Sequence, residues 1–208
     1  VGASDVIDVT GAVYVYRRND TMWVKEAKFE SSKEMDRFGR DVSVRQDRIA
    51  VASKGSVSLY DFVPTSKSWM QAGVSIVNEE CASSEYWFGY SIALVGTSGL
   101  LIGCPSGNNS VGTVRYFTRD PSTGEYIEQQ IVSPFDQTVA RFGSRISVDT
   151  DDENVVAIST EEKRKGSVFL FTLVEDNWVE TARITPDNGI TSFGGDIAVS
   201  GGRVIVSS

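Results

Sequence analysis

Two acids facing each other across a cleft can hydrolyse a glycoside. The chain has acids to offer in Glu79-Glu80, Glu85 and Glu161-Glu162. These fall in loop-like stretches with no repeated or convergent spacing, which is the pattern of solvated loop charge. Histidine is absent from all 208 residues. That excludes Ser-His-Asp and Cys-His nucleophile systems, His-ligated zinc and a His general base within this chain. The two cysteines, Cys81 and Cys104, are too few and too far apart for a zinc ribbon or a redox Cys-x-x-Cys pair. Cys104 lies in an apolar strand pattern that favours a buried free thiol; a disulfide to Cys81 stays open.

Binding is the other chemistry these residues offer. Arg37, Tyr86, Trp87 and Arg141 gather on one face with Asn108, Asn109 and the run 161–165 if their loops share an end. Tyr, Trp and Arg are the side chains that anchor interfaces, and these four are the candidate partner-binding residues. A packing role between repeats fits Trp87, beside Phe88, equally well. Asn19-Asp20-Thr21 and Asn108-Asn109-Ser110 are glycosylation sequons in loop-like stretches. A net charge of −8 argues against a nucleic-acid backbone or an anionic membrane surface as partner. No apolar run reaches membrane-spanning length, so no membrane insertion is expected in this segment. With 40% hydrophobic and 23% charged residues, the composition is that of an ordinary globular chain.

The elements that must position these residues are strands. Residues 11–16, 22–29, 41–45, 48–53, 55–60 and 69–77 alternate β-branched or aromatic residues with polar ones. The pattern continues at 90–95, 100–104, 112–118, 125–132, 144–149, 154–159, 166–173 and 177–184, then at 195–200 and 203–207. No stretch sustains a helical period. Four Phe-Gly pairs, at Phe38, Phe88, Phe142 and Phe193, recur at intervals of 50, 54 and 51 residues. Gly-x-Val pairs start at Gly11, Gly55, Gly112 and Gly166, and an aromatic follows each by 12, 14, 14 and 12 residues, at Trp23, Trp69, Tyr126 and Trp178. Four short antiparallel strands per repeating unit of this length indicate an all-β fold, a β-propeller of four-stranded blades. The periods run about 1–37, 38–87, 88–141 and 142–192, with a partial one at 193–208.

Phe88-Gly89-Tyr90-Ser91-Ile92-Ala93-Leu94, Leu101-Ile102-Gly103-Cys104-Pro105 and Gly112-Thr113-Val114-Arg115-Tyr116-Phe117 together resemble an FG-GAP repeat, the blade unit of integrin α-subunit propellers. Val1-Gly2-Ala3-Ser4 and Ile158-Ser159-Thr160 sit where the Gly-Ala-Pro element belongs. The resemblance spans the whole chain and implies about four blades of a larger, seven-bladed ring. A closed four-bladed ring is the alternative, and unpaired edges weigh against an open one. No cofactor is expected from the residues themselves; in the family it resembles, a loop between first and second strands patterned Asp-x-Asp-x-Asp-Gly-x-x-Asp often holds calcium. Asp149, Asp151 and Glu153 have that spacing, with Asn154 at the glycine and Ala157 at the last Asp. An acidic, solvated hairpin turn is the other reading of that loop. For function, the resemblance implies a non-catalytic module that presents loops to a protein or glycan partner, at the cell surface or secreted. A propeller domain of a carbohydrate-acting enzyme and a structural spacer are the alternatives.

Overall fold

Strand-forming alternation becomes antiparallel sheet along the whole described chain. The computed structural model describes residues 2–3, 11–31, 37–78, 81, 87–135, 140–161, 166–187 and 190–208, and these contain strands, turns and loops but no helix. Sheet I is β1 (Gly2–Ala3), β2 (Ala12–Asn19) and β3 (Met22–Glu30). Sheet II is β4 (Val42–Arg45), β5 (Arg48–Ser53), β6 (Ser56–Val63) and β7 (Ser68–Gln71), with β8 (Ile76–Val77) also on β6. Sheet III holds β9 (Ile92–Val95), β10 (Gly99–Cys104), β11 (Thr113–Arg119) and β12 (Tyr126–Val132). Sheet IV holds β13 (Phe142–Val148), β14 (Val155–Thr160), β15 (Val168–Val174) and β16 (Asn177–Ile184). Sheet V is the pair β17 (Ile197–Ser200) and β18 (Arg203–Val206). Every sheet is antiparallel, and apart from β8 the strands lie in chain order, as hairpin connections require.

The sheets pack face to face in sequence, so the second strands carry apolar residues on both sides. In β10, Leu100 and Ile102 join Ala50, Ala52, Leu59 and Phe88 of the II–III core, while Leu101 joins Phe142, Ile158 and Phe169 of the III–IV core. All six residues of β10 are buried. Smaller cores fill the I–II junction around Val13, Phe38 and Val51, and the IV–V junction around Ala157, Val168 and Val199. No strand of sheet V pairs with sheet I among the described residues.

The Phe-Gly pairs make these junctions. Gly39, Gly89, Gly143 and Gly194 have φ of 83°, 85°, 90° and 86°, a region that a side chain disfavours. The Gly of each Gly-x-Val pair then meets the Phe of the next sheet. Gly55 N–H donates to the Phe88 carbonyl at 3.0 Å, and Gly112 bridges Phe142 so closely that a Cβ would run into the Phe142 backbone. The recurring spacing is therefore a lock between neighbouring units.

Polar residues in the first strands tie the inner edges together. Ile92 N–H donates to Asp41 Oδ2 at 2.7 Å and Leu94 N–H to Ser43 Oγ at 3.0 Å. Val199 N–H donates to Ser147 Oγ at 3.1 Å, and Ser91 Oγ to the Gly143 carbonyl at 2.7 Å.

One expected strand is broken. Residues 69–77 form β7 and β8 with a kink at Gly73, whose φ is 72°. The break follows a rule common to all units. Two residues past each Gly-x-Val valine, at Val15, Leu59, Tyr116 and Leu170, the fourth strand slips register or parts from the third.

Candidate functional site

Trp87 sits where the Phe-Gly loop of sheet III meets that of sheet II, and it is buried. The turns 37–40 and 87–90 close by N–H donation from Arg40 to the Arg37 carbonyl at 3.0 Å and from Tyr90 to the Trp87 carbonyl at 3.1 Å. The first of these turns and the connection between β5 and β6 bring cations over the indole. Arg37 lies 4.9 Å from the Trp87 ring centre, and Arg40 and Lys54 each lie 5.9 Å away. Arg40 also covers Tyr90 at 4.4 Å, and Tyr90 meets Trp87 edge-on at 5.7 Å. Tyr90 Oη donates to Glu161 Oε2 at 3.3 Å, reaching across from sheet IV. Such contacts are worth about 0.5–1 kcal/mol each at exposed sites.

The cations carry the chemistry of this cluster. Arg37 and Lys54 are exposed and Arg40 is half-buried. Among the described residues none of the three makes an ion pair. The Trp87 Nε1–H is buried and finds no acceptor there either. The indole holds the cations without neutralising them, which leaves concentrated positive charge on an acidic chain.

The structure thus brings together Arg37 and Trp87 of the four expected partner-binding residues. Arg141 occupies the corresponding position one junction further on, with φ of 61° and its N–H donated to the Ser110 carbonyl at 3.0 Å. Tyr86 lies outside the described residues, as do Glu79, Glu80, Glu85 and 162–165 of the loop acids and the 161–165 run. Arg40 and Lys54 were not singled out as loop cations; their signal is position, two residues after Phe38 and one before Gly55.

The opposite end of sheets II and III has a polar cleft of about 260 Å³ lined by Arg45, Arg48, Asp61 and Thr97. Its charges are spent internally. Asp61 accepts from Arg48 Nε at 2.7 Å and from Arg119 at 3.1 Å. Arg48 also donates to the Thr97 carbonyl and to Tyr126 Oη, both at 3.1 Å. Arg45 pairs with Glu153 of sheet IV. Paired charges of this kind knit hairpins together.

The acidic hairpin 149–154 uses its carboxylates separately. Asp149 is 2% exposed, and its oxygens accept N–H groups from Asp151 at 2.9 Å, Asp152 at 3.4 Å, Gly201 at 3.0 Å and Gly202 at 3.3 Å. Glu153 turns to Arg45, and Asp151 is exposed. Among the described residues no three acids or cysteines are grouped to hold a metal ion.

Two acids, buried Asp149 and half-buried Asp41, respond to pH in opposite senses. The Asp151 amide, with those of Gly202, Gly201 and Asp152, holds the Asp149 carboxyl below the usual range. Its stabilising contribution is present above the ordinary carboxyl pKa and is lost as pH falls through the depressed value. Burial pushes Asp41 up, and the amides of Ile92 and Val42 with the charges of Arg145 and Arg40 oppose this without cancelling it. Asp41 therefore costs stability as pH rises from the ordinary carboxyl range through its raised value. Asp149→Asn is expected to melt below the unsubstituted chain at neutral pH and to converge with it in acid, as read from melting curves across that range.

Cys81 and Cys104 form a disulfide, which overturns the free-thiol reading. Cys104 ends β10 on the face toward sheet II, where the loop after β8 brings Cys81 to a Cα separation of 6.0 Å. The Cys81 carbonyl accepts Phe88 N–H at 3.2 Å, which sets the disulfide beside the Trp87 turn. No helix among the described residues is long and apolar enough to cross a membrane. In comparisons with known proteins, no family model and no curated protein matches this chain.

Proposed function

We propose that this chain is a run of FG-GAP-type propeller blades acting as a non-catalytic interaction module outside the cell, with the Trp87 cluster as its partner-binding surface. The observation that carries this reading is the convergence of three cations on one buried indole, none of them in an ion pair among the described residues. A rigid array of sheets is a suitable mount for variable loops, because binding then orders few side chains. The ligand class that matches the cluster is an acidic group on a protein or glycan, which guanidinium donors grip with two parallel hydrogen bonds. The repeat phasing, the Phe-Gly turns and the stacked four-stranded sheets support the propeller assignment. The disulfide supports an oxidising, extracellular setting. No cofactor enters the reading.

Titration of the chain with a glutamate-rich peptide, and in parallel with a sulfated oligosaccharide, tests the surface. Salt-sensitive binding to either is expected. The double change Arg37→Ala/Lys54→Ala should weaken it by about 1–2 kcal/mol, roughly tenfold. Absence of binding to both ligands, or binding that the double variant leaves intact, removes the cluster from this role. A chelator should leave the melting temperature unchanged. A calcium-dependent rise would instead make 149–154 a metal loop.

A further inference from the structure

We infer that Asn19 and Asn108 carry N-linked glycans, one at each end of the sheets. Asn19-Asp20-Thr21 and Asn108-Asn109-Ser110 are the acceptor sequence for this modification. The structure places both on tight connections, and all six residues are exposed. Asn19 ends β2 opposite Met22 across a two-residue turn in which Asp20 has φ of 52°. Residues 108–110 form a left-handed turn, with φ of 48°, 54° and 71°, closed by Val111 N–H donating to the Asn108 carbonyl at 3.1 Å. Turns of this kind leave room for a bulky hydrated substituent without disturbing a sheet face.

Two further observations point the same way. The Cys81–Cys104 disulfide needs an oxidising compartment, and the secretory lumen both forms such bonds and supplies lipid-linked oligosaccharide. Two exposed apolar side chains also lie beside Asn19. Asn19 opposes Met22 and Arg17 opposes Val24, so these four share one face of the hairpin. Met22 is 66% exposed and Val24 48%. A glycan on Asn19 would cover an apolar strip that otherwise meets water.

The transfer balances without a redox partner. The asparagine amide nitrogen bonds to the anomeric carbon of an oligosaccharide carried on a lipid pyrophosphate. The bond from that carbon to the pyrophosphate oxygen breaks, and the amide proton leaves with the lipid pyrophosphate.

This inference is independent of the Trp87 cluster, and its test is separate. The full chain is secreted from eukaryotic cells behind a cleavable signal, then treated with peptide N-glycosidase and analysed by peptide mass. Two mobility steps are expected, with Asn19 and Asn108 each read as aspartate after treatment. Thr21→Ala and Ser110→Ala should each abolish one step while leaving the asparagine in place. The deglycosylated chain should self-associate more than the glycosylated one. A secreted chain that has formed Cys81–Cys104 but keeps either asparagine unmodified overturns the assignment at that residue.

Discussion

Phe142→Ala is expected to destabilise the chain by about 3–5 kcal/mol, a large part of the stability of an ordinary domain. The side chain is fully buried between sheets III and IV. Its ring meets Phe169 edge-on at 5.5 Å and Phe171 at 5.7 Å, and edge-to-face pairs add to the burial term. Removing it leaves a hole bounded by strands of two sheets, and backbone paired on both sides cannot collapse into it. The same backbone receives Gly112, so the loss falls on the lock itself. Urea unfolding measures the effect, with Phe135→Ala as comparison. Phe135 is 94% exposed, and its truncation should change stability by no more than about 0.5 kcal/mol. Equal effects for the two would remove Phe142 from its junction role.

The second large effect is expected from the disulfide. It closes a separation of 23 residues, for which chain entropy in the unfolded state gives about 3 kcal/mol. A pairwise Cys81→Ser/Cys104→Ser change should therefore lower the melting temperature by roughly 6–12 °C. Both cysteines are 1% exposed, so reductant should act on the native chain only as fast as the loop opens. Cys81 also touches the Trp87 turn, through its carbonyl and Phe88 N–H. Weaker ligand binding by the serine pair well below its melting temperature would show that the bond also positions the cluster. A melting temperature unchanged by the pair would mean the entropy term is absent.

The strands were legible because nearly every one alternates strongly, and their observed bounds fall within about two residues of the pattern at most ends. The break at Gly73 was not, because residues 69–77 favour strand locally and the interruption answers to the third strand beside them. Phase alone located the junction phenylalanines. Their glycine partners could not be paired with them until the sheets were stacked. The disulfide was hidden for a different reason, since spacing never fixes which sulfurs meet. Asp149 is the sharpest case. Local spacing makes it a candidate metal ligand, yet its carboxylate is taken up by amides 52 and 53 residues away. Of the site, Arg37 and Trp87 are readable because each stands immediately before a Phe-Gly pair. Arg40 and Lys54 have only their positions beside Phe38 and Gly55 as a signal, and only the fold makes them neighbours.

The lock between each Gly-x-Val glycine and the following phenylalanine has a consequence for how such a chain changes length. Each unit supplies a phenylalanine to the unit before it and a glycine to the unit after it. Excising one whole period, 88–141 for instance, would put Phe142 where Phe88 now stands, so that its carbonyl could accept the Gly55 N–H as the Phe88 carbonyl does now. Gene duplication or loss in whole periods therefore preserves every seam, whereas an insertion out of phase spoils two. Lineages of such arrays can vary freely in the number of units while the geometry of each seam stays under selection.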